Sequence, residues 1–211
     1  MTQAPGDRSK PSEVFELDES RAEEAVDLLA LAFEEDPAYR YFCSAERPGY
    51  LRRLRIVHRC MWTLMRSSGQ PLWGIASGQR LAGLAMIQEP GSRLPVRPQL
   101  RWLLSVALSA GPRVPWRILG DMRIAERARP AEPHFYLLIL AAHPDFQGPG
   151  CGRVLLETLQ ARSAGDPRSR GVCLETENPR NVPFYEHIGF RVVARNRYAA
   201  LEITTLFRPD G

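Results

Sequence analysis

The chain has 211 residues and a mass of about 23.8 kDa, which suits one ordinary domain or one domain with a substantial insertion. Charged residues make up 25% and hydrophobic ones 44%, so disorder of the whole chain and collagen-like or coiled-coil character are excluded. The formal charge is +4, from 28 basic and 24 acidic residues, too small an excess to argue for nucleic acid.

No run of 18 apolar residues exists, so no membrane-spanning helix is expected. The polar start carries Pro5 and Pro11 and does not read as a secretory signal, so a cytoplasmic protein is expected. Cys43, Cys60, Cys151 and Cys173 form no C-x-x-C pair, and His58, His134, His143 and His187 are scattered. That spacing predicts reduced thiols and no metal site.

Residues 1–12 read as a flexible tail, and 13–211 as a single domain. Residues 14–17 are a short strand candidate. Ser20, with Glu23 three residues on, looks like a capping box ahead of Ala22, Ala25, Val26, Leu29, Ala32 and Phe33 at helical spacing. Asp36-Pro37 is expected to end that helix. A second helix is predicted over 48–67, with Leu51, Leu54, Val57, Met61, Leu64 and Met65 on one face. Residues 71–76 and 80–87 flank Ser77-Gly78-Gln79 and predict a hairpin.

Residues 88–133 form a different block, rich in Arg and Pro. They hold two helix-like pieces, 99–110 and 114–128, broken by Gly111-Pro112. Residues 135–142 are a continuous apolar run, as expected of a strand buried on both faces. Helix 150–164, strand 172–176, helix 181–187 and strands 190–194 and 199–207 follow. The order β-α-β over 134–176 makes its two strands parallel, and hairpins supply an antiparallel remainder. The expected fold is an α/β (α+β) domain with a mixed, mostly antiparallel sheet and helices on both faces.

Between strand and helix lies His143-Pro144-Asp145-Phe146-Gln147-Gly148-Pro149-Gly150-Cys151-Gly152-Arg153. Glycines at alternate positions let backbone approach a ligand, and a helix start offers unpaired N–H groups to an anion. On spacing alone, a pyrophosphate site and a ligand-free turn are equally good readings. There is no G-K-[ST], so it is no P-loop, and the dinucleotide fingerprint lacks its further glycine.

Gln147, Gly150 and Gly152 match Q/R-x-x-G-x-G/A, and the stretch resembles motif A of the GCN5-related N-acetyltransferase (GNAT) superfamily. Downstream, Asn178, Tyr185, Gly189 and Phe190 resemble motif B. Within the superfamily, Leu174-Glu175-Thr176, Pro179-Arg180-Asn181, Pro183-Phe184-Tyr185-Glu186 and Glu132-Pro133-His134-Phe135-Tyr136-Leu137 are similar to the puromycin N-acetyltransferase group. So is Ala32-Phe33-Glu34-Glu35-Asp36-Pro37. The similarity is strong over 132–190 and weak in the N-terminal half. Pro149 departs from relatives by removing a backbone donor.

The resemblance implies an acyltransferase that moves acetyl from acetyl-CoA directly to a primary amine. It implies coenzyme contacts from Leu140, Ala141, Ala142, Gln147, Gly148, Gly150, Cys151, Gly152, Arg153, Asn178, Asn181 and Tyr185. Tyr185 would be the general acid on the leaving thiolate. Glu35, Asp36, Glu89 and His134 are candidates for acceptor contact or the base. Trp102 and Trp116 are either core or acceptor-lining. Cys151 is not expected to carry an acyl intermediate. The implied partner is a small-molecule amine, antibiotic- or aminonucleoside-like, taken by a monomer or homodimer that binds neither membrane nor nucleic acid. A protein or peptide acceptor and a non-catalytic acyl-CoA sensor are the rival readings.

The charge is local. Residues 88–133 hold eight Arg and four acids, and the remaining 20 basic and 20 acidic residues cancel. The excess sits in a helical insertion, as solvated faces or as a lure for an anion.

Overall fold

The computed structural model describes residues 13–146 and 150–211. The expected tail, 1–12, lies outside the described residues. β1 (Phe15–Glu16) leads through a 3-10 turn, Glu19–Arg21, into α1 (Ala22–Ala32). The Ser20 cap does not form: Asp18 caps the 3-10 turn instead, its carboxylate accepting the Ser20 N–H at 2.9 Å, and α1 starts at Ala22 with no side-chain cap. Asp36-Pro37 does not only end a helix. Asp36 caps a further one, α2 (Pro37–Phe42), by accepting the N–H groups of Ala38 and Tyr39 at 3.0 and 3.2 Å. Proline at the first helical position loses no bond, since its N–H would be unpaired there anyway.

α3 (Tyr50–Ser67) buries Leu54, Val57, Met61, Leu64 and Met65, while Leu51 is half exposed. The hairpin is β2 (Leu72–Ser77) and β3 (Arg80–Gln88). The insertion forms α4 (Val96–Ala110) and α5 (Arg113–Ala128). β4 (Phe135–Ala142), α6 (Cys151–Gly165), β5 (Gly171–Thr176), α7 (Val182–His187), β6 (Arg191–Tyr198) and β7 (Leu201–Pro209) complete the chain.

The strands make one sheet in the order β1-β2-β3-β4-β5-β7-β6, with β4 and β5 the parallel pair. Helices α1 to α5 cover one face, around Leu29, Leu54, Trp62, Trp102 and Ile118. Helices α6 and α7 cover the other, around Leu155, Leu159, Val182 and Tyr185. Of the eight insertion arginines, two turn inward. Arg117 donates to the Tyr41 carbonyl at 2.6 Å and stacks 4.6 Å over its ring, and Arg129 pairs with Glu175. The other six are exposed, so solvated helix faces account for most of the local charge.

A bulge in β4 breaks the regular pairing at the centre of the sheet. Met86 pairs with Ile139 and Ile87 with Leu137, which leaves Leu138 as an extra residue. An extra residue bends its strand and flips the side-chain alternation. Accordingly Phe135 and Leu137 face the α6 side, while Ile139 and Ala141 face the α1–α5 side.

Gly171, at the start of β5, has φ +155°, and a Cβ there would stand 2.4 Å from the Arg208 carbonyl oxygen. That oxygen belongs to the neighbouring strand and cannot swing away. Gly171→Ala is expected to destabilise by roughly 2–3 kcal/mol, lowering the melting temperature by roughly 5–10 °C. A melting curve within about 1 °C of the parent would contradict this packing.

Candidate active site

β4 and β5 pair only through Phe135–Val172, Tyr136–Cys173 and Leu137–Leu174. Beyond Leu137 the bulge turns β4 away and the two strands splay. In a strand, alternate residues aim their N–H and C=O at opposite neighbours. His143 donates its N–H to Ala82 at 2.8 Å, towards β3. Ala141 therefore faces β3 as well, and Leu140 and Ala142 turn their backbone groups into the gap. The splay leaves polar backbone where a long ligand can be bonded.

α6 begins at the open end of this gap. Gly150 supplies its start with φ +87°, and no side chain among the described residues caps the helix. Its first N–H groups are thus available to an anion among the described residues. Cys151 is buried against the sheet, close to Gly83. A Cβ on Gly83 would lie 3.4 Å from the Cys151 Cβ and 3.0 Å from the Ala141 oxygen, so the glycine lets the helix start sit tightly on the strands. Burial pushes the Cys151 thiol up, which disfavours the thiolate a nucleophile needs. Gly152 meets nothing nearer than Leu140 Cδ2 at 3.7 Å; the protein itself has room for a side chain there. Arg153 is exposed and pairs with Glu157 at 2.7 Å. Across the loop, Arg80 bonds Asp145 at 3.2 Å and sits 5.4 Å over the Phe146 ring. Gln147, Gly148 and Pro149 lie outside the described residues.

A cavity of about 130 Å³ passes through the gap and is walled from both faces of the sheet. Tyr185 and Asn181 enter from the α7 side, and Asp36, Tyr39 and Asp121 from the α2 and α5 side. Glu175 and Glu177 come from β5 and the residue after it. Glu175 is neutralised by Arg129, which donates to its two oxygens at 2.8 and 3.3 Å and lies 3.5 Å over the Tyr136 ring. Asp121 has no such partner, and its Oδ1 is buried without a hydrogen bond among the described residues. Burial, with Glu175 and Asp36 nearby, pushes its carboxyl up to about 7. Burial and then Asp121 push Glu177 well above the usual carboxylate range. Burial raises Asp36 too, against the two N–H groups it caps. Burial, then Glu177 and Asp36, raise the Tyr185 hydroxyl, so it holds its proton throughout the neutral range.

The residues singled out from sequence separate here. Tyr185, Asn181, Asp36 and Leu140 line the cavity. Asn181 Nδ2 donates to Thr176 Oγ1 at 3.4 Å. Asn178 lies beside them, with its Oδ1 accepting the Arg180 N–H at 3.2 Å to cap the 3-10 turn Pro179–Asn181. Glu35 is exposed and paired with Arg40 at 3.1 Å. Glu89 is paired with Arg162 at 2.8 Å, and His134 Nδ1 lies 2.6 Å from the Glu132 carbonyl; neither lines the cavity. Trp102 is buried, whereas Trp116 is 61% exposed. Sequence reasoning missed Asp121, Glu177 and the Arg129–Glu175 pair. One signal was present: Val114, Ile118, Asp121 and Ala125 share the buried stripe of α5, and an acid on an apolar stripe calls for an explanation. Among the described residues no group of His, Cys, Asp and Glu is arranged to hold a metal ion, and no helix is long and apolar enough to cross a membrane.

A parallel pair splayed at its C-terminal ends, with an uncapped helix start at the opening and an acid-lined cavity through it, defines the scaffold of an acyltransferase. Within the chain, residues 116–192 match the family model described as acetyltransferase (GNAT) domain. Its fold is similar to that of histone acetyltransferase HPA2 and related acetyltransferase from Corynebacterium glutamicum, at 20% identity and a TM-score of 0.72, over 95% of this chain and 97% of that one. It is also similar to arylalkylamine N-acetyltransferase 2 from Aedes aegypti, at 11% identity and a TM-score of 0.64, over 96% and 100%. A third is the ribosomal-protein-S18-alanine N-acetyltransferase from Escherichia coli, at 15% identity and a TM-score of 0.50, over 94% and 93%.

Proposed function

We propose that this enzyme transfers acetyl from acetyl-CoA to a primary amine on a small molecule, directly between the two bound substrates. The observation that carries this reading is the cavity through the β4–β5 gap, with Tyr185 on one side and Asp36, Asp121 and Glu177 on the other. The coenzyme, when bound, supplies an acetyl group activated as a thioester. The residues present suit it: the Leu140 and Ala142 backbone can bond an extended amide chain, and the start of α6 can take phosphate. Gly152 leaves space where a side chain would crowd a ligand.

The proton balance assigns the remaining roles. A C–S bond breaks and a C–N bond forms. The amine arrives as an ammonium, since a lysine-like amine has a pKa of about 10.4, and it gives up two protons. The acids attract the ammonium. Asp121, poised near neutrality, takes the proton that frees the nitrogen lone pair. Tyr185 Oη donates the proton that sulfur gains, and the second proton from nitrogen restores the balance. The small cavity, roofed by the helical insertion, suits a small amine better than a polypeptide. The likeness to the puromycin N-acetyltransferase group points the same way.

Free-thiol release from acetyl-CoA against a panel of primary amines tests the reading. Turnover on at least one amine is expected, with a rise in melting temperature on adding coenzyme A. A melting rise without turnover on any amine would identify a sensor, and acetylation of peptides alone would identify a protein acetyltransferase. Cys151→Ala is expected to leave turnover undiminished, because the buried thiol has no covalent role.

A further inference from the structure

A second cavity, of about 200 Å³, lies under the insertion between α3, α4 and α5. Its wall is mainly Leu64, Leu94, Trp102, Leu103 and Leu119. The polar groups in that wall are already engaged. Arg129 is held by Glu175, Gln88 donates to the Ser92 carbonyl at 2.8 Å, and Gln99 to the Leu94 carbonyl at 2.5 Å. The chamber therefore presents an apolar surface.

The chamber adjoins the acid-lined cavity. Met61, Met122, Tyr136 and Leu138 wall both. Two of these four are methionines, unbranched and easily repacked by side-chain rotation. On the outer side Val96 and Leu100, both more than half exposed, form a rim. An apolar cavity of 150 Å³ is enough for a benzene ring. A chamber of about 200 Å³ takes one substituted ring or an alkyl chain of roughly six to eight carbons.

We propose that the acceptor is an amphiphilic primary amine whose apolar body fills this chamber while its nitrogen lies among Asp121, Glu177 and Asp36. This inference rests on the reading under Proposed function and narrows its substrate class. It gives the insertion a role that its arginines do not explain: α4 and α5 build the apolar half of the acceptor site.

The test is a length series of n-alkylamines from propyl to decyl, with phenethylamine, assayed by thiol release at saturating acetyl-CoA. Burial predicts that kcat/KM rises roughly three- to fourfold per methylene. The rise should level off near eight carbons, where the chamber is full. Leu103→Trp and, from the rim, Leu100→Trp fill the chamber. Each should abolish the length dependence while leaving the coenzyme A melting shift unchanged. Should neither variant fold, the parent series decides by itself. Amines acetylated with no dependence on length, or a length dependence that survives in the folded variants, would overturn the chamber assignment and leave the acetyltransferase reading standing. No acetylation of any amine would overturn both.

Discussion

Tyr185→Phe should lower kcat by about 10²- to 10⁴-fold, the usual contribution of a positioned general acid. The substitution removes one oxygen and keeps the ring. That ring packs 5.3 Å from Phe184 and 5.9 Å from Phe190, contacts that Phe retains. The melting temperature and the KM for acetyl-CoA are therefore expected to stay near the parent values, with the loss confined to kcat. Burial and the neighbouring Glu177 and Asp36 raise the hydroxyl above its ordinary pKa. The parent enzyme should accordingly show no loss of activity from Tyr185 ionisation below about pH 10. A kcat within threefold of the parent, measured by stopped-flow thiol release, would remove Tyr185 from the proton path.

Asp121→Asn should change activity and stability in opposite directions. With the carboxyl pushed up to about 7, the basic form is lost as pH falls through neutrality. The parent kcat/KM should therefore rise with pH along an acid limb centred near 7. Asn cannot accept the proton, so the limb should vanish and kcat/KM at pH 8 should fall about 10²-fold or more. Stability has the other sign. The folded pKa lies above the unfolded value of 3.8, so the native state binds more protons between about pH 4 and 7. The stability this group contributes is present at low pH and lost as pH rises through 7. Above that the buried carboxylate, with no ion-pair partner among the described residues, is a penalty, which Asn removes. Asp121→Asn should be more stable than the parent at pH 8, by roughly 1–4 kcal/mol, and no more stable at pH 4. A merely structural Asp121 would lose stability and activity together.

The acid cluster shows where local reading stops. Tyr185, Asn178 and the glycines of the loop were legible because their spacing within one short stretch carries the meaning. Asp36 was legible as a residue before proline but not as a cap, because a cap depends on which way the chain turns next. Asp121 and Glu177 are 56 residues apart, in an insertion helix and in the segment after β5. Neither stretch indicates that the two meet. Glu175 and Arg129 are 46 residues apart and likewise become partners only when α5 ends against β5. Glu89 and His134 were candidates by chain position, but the fold sets them outside the cavity.

By itself the sequence determined the order and type of the main elements, since hydrophobic period, glycine and proline placement and helix starts are local physics. It also determined the parallel relation of β4 and β5, because a helical crossover leaves no other arrangement. The family resemblance added an expected place for an anion and for a general acid. Tertiary structure alone decided that Leu138 is a bulge, which depends on how β4 registers against β3 and opens the gap beside β5. It alone collected three acids from distant segments into that gap. It alone placed an apolar chamber behind them, because cavities are formed by what packing leaves unfilled between elements, and no single element encodes that remainder.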